Sequence, residues 1–111
     1  MSIELSPEAL LSQLGYSKTE QTLEQMQNII ENTHNFNNFS KHLLALHDHL
    51  ARVKGYVAMS NSQDNLKIKG SEELSAEVEL EFIKTVENWA NKYKVRIEKV
   101  KNKPTYYILG Q

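Results

Sequence analysis

The feature that most constrains the fold is a change of hydrophobic period near the middle of the chain. Upstream, Phe39, Leu43, Leu46, Leu50 and Val53 recur at spacings of 4, 3, 4 and 3. At ~100° per residue these side chains form one apolar stripe on a helix. Downstream of Gly55, Val57 and Met59 alternate with their neighbours, and Leu66 and Ile68 alternate with Lys67 and Lys69. That is the two-residue period of a half-buried strand. A chain of 111 residues has room for one core, so both periods must be buried against each other. The reading is a single domain, 1–111, with a helical part at 1–55 and a ββαββ part at 56–111.

Local signals divide these parts into elements. Ser6, Pro7 and Glu8 supply a capping hydroxyl, a proline for the first helical position and an acid in the first turn. They open a short helix with Leu10, Leu11 and Leu14 as its apolar face, ended by Gly15. Ser17 with Glu20 predicts a capping box ahead of Leu23, Met26, Ile29 and Ile30. The polar stretch 32–38, which carries Phe36, predicts the connection to a third helix ended by Gly55. Helices two and three are expected as an antiparallel hairpin.

Residues 56–69, with turn chemistry at 60–65, predict a β-hairpin closed by Gly70. Residues 71–93 carry two patterns at once. Residues 76–82 alternate strictly, as in a strand, while Leu74, Val78, Phe82, Val86, Trp89 and Tyr93 form a helical stripe. Glutamate prefers helix to strand, and Ser71 followed by two acids resembles a helix start. The helical reading, 72–93, is adopted over a strand at 75–82 with a shorter helix. Val95 and Ile97, a turn at 102–104 and the strand formers of 105–109 predict a second hairpin. The expected fold is α+β, in the order α-α-α-β-β-α-β-β. The four strands form a small antiparallel sheet, with the long amphipathic helix on one face.

Charge follows the same division. Residues 1–50 carry six acids against Lys18 and Lys41, net −4, and 51–70 carry Arg52, Lys54, Lys67 and Lys69 against Asp64, net +3. Residues 71–91 hold six glutamates against Lys84, net −5, and 92–111 hold six cations against Glu98, net +5. The basic blocks are the ones that read as strand, which predicts a polarised surface. The absence of cysteine excludes disulfides and thiolate chemistry, and favours a reducing compartment. The first eight residues have acid where a signal peptide needs base, and uninterrupted apolar runs reach only four residues, against ~20 for a membrane span. A soluble, cytoplasmic chain with no membrane partner is expected.

Few residues suggest chemistry. His34, His42, His47 and His49 lie within sixteen positions, but His42 and His49 are seven apart, about 10 Å along a helix, too far to share an ion. They read as residues flanking a core stripe. Lys41-His42 meets only loosely the requirements of a phosphoacceptor histidine. The glutamates read as a wet surface, whereas paired acid/base carboxylates need distinct environments. There is no nucleophile elbow, glycine-rich phosphate loop or zinc-protease motif. No catalytic residue, metal ligand or cofactor is assigned.

The sharpest positive signal is the basic C-terminal hairpin. Lys94, Arg96, Lys99, Lys101 and Lys103 precede the adjacent Tyr106 and Tyr107. Cations neutralise phosphates while rings stack on bases, although one residue of an adjacent strand pair must face the core. Three helices followed by a basic hairpin also have the order of a winged helix-turn-helix. Helices two and three are long for that motif, and the loop between them lacks its tight turn. Separated acidic and basic faces without a motif point first to a non-enzymatic protein-interaction or regulatory module. Its partner is another protein or a second copy, and Phe36, Trp89 and Tyr93 are candidate anchors. Nucleic-acid binding through 92–107 is the alternative.

Overall fold

In the computed structural model, which describes residues 6–60, 63–71 and 75–111, the helical part begins as its signals direct. The Ser6 hydroxyl accepts the Ala9 N–H at 3.2 Å, α1 spans Pro7–Leu14, and Gly15 closes it with φ of 85°. Helix α2, Glu20–Asn32, is capped two residues later than expected. Thr19 Oγ1 accepts the Thr22 N–H at 3.1 Å, and Thr22 Oγ1 accepts the Thr19 N–H at 2.9 Å. The capping box therefore belongs to Thr19 and Thr22 rather than to Ser17 and Glu20. The Thr22 hydroxyl reaches back as a glutamate would and donates onward to the Ser17 carbonyl at 2.8 Å.

The connection to α3 is shorter than the polar stretch suggests. Helix α3 spans Phe36–Leu50, so residues 33–35 alone link it to α2, and Asn35 turns the chain with φ of 55°. Phe36 is thereby the first helical residue, buried edge-on against Phe39 at 5.5 Å. After a 3₁₀ turn at Ala51–Val53, Lys54 stops the helix in the left-handed region, φ 58°. Gly55, expected as that stop, is already the first residue of β1 (Gly55–Met59).

The remaining elements are β2 (Leu66–Gly70), α4 (Ala76–Tyr93), β3 (Arg96–Lys99) and β4 (Thr105–Gly110). The strand reading of 75–82 gives way to helix because packing honours the longer period. Phe82 is 0% exposed, whereas Leu80, which alternation would place beside it, is 53% exposed. The N-cap is Ser75, which accepts the Val78 N–H at 3.3 Å, rather than Ser71. The expected first turn, with Glu72, Glu73 and Leu74, lies outside the described residues.

All strands pair antiparallel in the order β1-β2-β4-β3. Val57, Met59, Leu66, Ile68, Tyr106 and Ile108 join the buried core with the helices. Helix α3 packs on β1 and α4, while α2 packs chiefly against α1. The Trp89 indole N–H donates to the His42 carbonyl at 3.0 Å and ties α4 to α3. Edge strand β1 is guarded by side chains. Its Val57 N–H donates to His47 Nδ1 and its Met59 N–H to the Tyr16 hydroxyl, each at 2.9 Å. Edge groups satisfied in this way are not offered to another strand.

Candidate functional site: a basic face on the sheet

Residues on neighbouring antiparallel strands that stand opposite each other share one side of the sheet. The register therefore defines the outer face. Lys67 is opposite both Ala58 and Tyr107, and Tyr107 is opposite Glu98. In the next row, Lys69 is opposite Tyr56 and Thr105. Because β2 lies beside β4, the two basic blocks, brought together by pairs some forty residues apart along the chain, meet on one surface. Lys67, Lys69 and Lys103, with Val100, Thr105 and Tyr107, line a shallow hollow of about 130 Å³. Lys67, Lys69 and Tyr107 are half-buried, and Tyr56 is 41% exposed at the sheet edge. Lysine stems laid on a sheet keep their ammonium groups in water. The result is an open surface of lysines and phenol rings, with the exposed Glu98 at its β3 edge.

Of the seven residues expected to form the surface, Lys103 and Tyr107 join it. Tyr106 does not. It is 2% exposed, packs its ring 6.3 Å from that of Phe82, and donates its hydroxyl to Glu87 Oε2 at 2.8 Å. Burial, reinforced by the Glu87 carboxylate, pushes this phenol well above its ordinary range. Tyr106 is thus a neutral core donor with no ring face to offer a ligand. The physical reason is strand alternation: once Tyr107 faces outward, its neighbour faces inward.

The other four cations flank the face. Lys94 is the exposed residue that ends α4, with φ of 57°, and Arg96 stands exposed opposite Gly110. Lys99 is opposite Tyr106, hence on the helical side of the edge strand, and Lys101 is exposed in the β3–β4 turn. Sequence reasoning missed Lys67, Lys69 and Tyr56 as members of the site. The alternation of Leu66-Lys67-Ile68-Lys69 places both lysines on the polar side of their strand; the strand order that brings them to Tyr107 is set by tertiary pairing.

Across the core, α4 exposes glutamates interspersed with Lys84 and Lys92. Phe82 seats α4 against Tyr106 on the inner sheet face, which leaves Glu77, Glu81 and Glu87 exposed on that helix. The histidines are divided among separate contacts. His47 accepts from β1, His34 Nδ1 lies 2.9 Å from the Gln111 carbonyl, and His42 stacks on Tyr93. Among the described residues no group of three or more His, Cys, Asp or Glu side chains is placed to hold a metal ion. No helix among them is long and apolar enough to cross a membrane. Comparison with protein-family models, curated proteins and solved structures finds no match to this chain.

Proposed function

We propose that the chain is a non-enzymatic interaction or regulatory module that engages an acidic protein partner through the outer face of its sheet. The observation that carries this reading is the adjacency of β2 and β4, which gathers Lys67, Lys69 and Lys103 around Tyr107. A positive patch on one side and an acidic helix on the other favour an oriented encounter, since complementary potentials set register and association rate. The open face suits a macromolecular surface better than a small substrate, and Tyr107 and Tyr56 supply the aromatic contact area typical of interface centres.

Nucleic acid is the second reading, favoured by one specific feature: tyrosines beside lysines on an open sheet face. Such surfaces stack bases and neutralise phosphates. Fluorescence anisotropy with a labelled oligoglutamate peptide and with labelled single-stranded RNA, at about 50 and 200 mM salt, separates the two. The expected result is saturable peptide binding that weakens with salt and falls about tenfold or more in Lys67→Glu/Lys69→Glu. Binding of the RNA alone would transfer the face to the second reading. No binding of either probe, or equal binding by the double variant, would contradict both.

A further inference from the structure

A second surface, on the far side of the core from the basic sheet face, has the composition of a small-ligand site. Helices α3 and α4 enclose an open groove of about 450 Å³, lined by His42, Leu46 and His49 from α3 and by Thr85, Asn88, Trp89, Lys92 and Tyr93 from α4, with Ala45. This volume lies within the range of about 300–1,000 Å³ typical of small-molecule sites. The floor is aromatic and held in place. Trp89 meets Phe39 edge-on at 6.4 Å and Tyr93 at 6.0 Å, and its N–H is engaged by the His42 carbonyl. The His42 ring lies flat on Tyr93, with centroids 3.9 Å apart and planes 15° apart. Lys92 Nζ sits 5.3 Å from the Tyr93 ring centroid.

The polar lining has a consistent chemistry. Lys92, Asn88 and Thr85 offer an ammonium, an amide and a hydroxyl as donors, and the two imidazoles add ring nitrogens. No carboxylate is among the described lining residues, although the same helix carries Glu77, Glu79, Glu81 and Glu87. A cationic ligand would find no counter-charge there. A flat ligand bearing an anionic group would find aromatic rings for its body and charge-assisted donors for its head. We propose that the α3–α4 groove binds a small planar anion of the aromatic carboxylate class, with Lys92 holding the carboxylate and the Trp89–Tyr93–His42 rings holding the aromatic body. This inference does not depend on the role proposed for the sheet face.

Trp89 is the chain's single tryptophan, so its indole N–H gives one distinct signal in ¹⁵N-resolved NMR spectra. Titration with 1-naphthoate, and in parallel with uncharged 1-naphthamide, tests the assignment. The expected result is a saturable shift of the Trp89 indole and of backbone amides in 85–93 with naphthoate. Lys92→Gln, an exposed position, should weaken naphthoate about tenfold or more while leaving naphthamide unchanged. Equal affinity of the variant and the parent for naphthoate would overturn the proposal. So would shifts confined to the Lys67–Tyr107 face, no saturable shift at all, or concentration-dependent shifts of the same signals without ligand, which would give the groove to a second copy of the chain.

Discussion

Phe82→Ala is expected to lower the free energy of unfolding by about 3–5 kcal/mol. Phe82 is fully buried. Its ring faces that of Tyr106 on β4, and its edge rests against the backbone of β1 at Gly55. Removing it leaves a cavity that neither the sheet nor the helix can collapse to fill without moving as a unit. A domain of this size has about 5–15 kcal/mol in total, so the variant should be marginal. Urea denaturation followed by circular dichroism should show a lowered midpoint with little change in slope. A loss below about 1 kcal/mol would mean that α4 is not seated on the sheet through this residue.

Gly55→Ala is expected to cost about 1–3 kcal/mol, against the usual direction for glycine in a strand, where alanine gains about 0.5–1 kcal/mol. The reason is space. A Cβ at position 55 would lie 2.9 Å from Phe82 Cε2 and 3.2 Å from Leu50 Cβ. Both neighbours are fully buried, so neither swings aside. The two substitutions should therefore couple. In Gly55→Ala/Phe82→Leu the smaller branched side chain relieves the clash, and the combined loss should be smaller than the sum of the single losses. Strict additivity in a double-mutant cycle would contradict the contact.

This pair also illustrates what the sequence made legible. Gly55 was readable as a boundary, because the hydrophobic period changes there. Its role as the floor under Phe82 was not, since that contact joins positions twenty-seven residues apart. The same distinction recurs through the molecule. Among the described residues, each α-helix and strand is readable from period and composition, including α4, where the 78, 82, 86, 89 spacing prevails over alternation once burial decides between them. Boundaries were less legible. Thr22 replaces a glutamate in the capping box, and Asn35 and Lys54 adopt left-handed conformations that residue type alone does not require. At the sheet face, alternation alone decides that one of Tyr106 and Tyr107 is buried, but not which. That choice, and the meeting of Lys67 with Tyr107, depends on β2 pairing with β4, a contact between segments forty residues apart.

The claim on which the basic face rests is that pairing, and it can be tested without any ligand. Residues 67 and 107 are directly opposite in the register, and opposed residues of an antiparallel pair have Cα atoms about 4.5–5.5 Å apart. This is within reach of a disulfide, in a chain that otherwise has no cysteine. Lys67→Cys/Tyr107→Cys, mildly oxidised while folded and then mapped by mass spectrometry, should form an intramolecular 67–107 crosslink. Lys67→Cys/Lys99→Cys, whose residues lie on different strands and opposite sides of the sheet, should stay reduced under the same conditions. Free thiols in the first variant, or ready crosslinking in the second, would contradict the strand order and with it the merged basic surface.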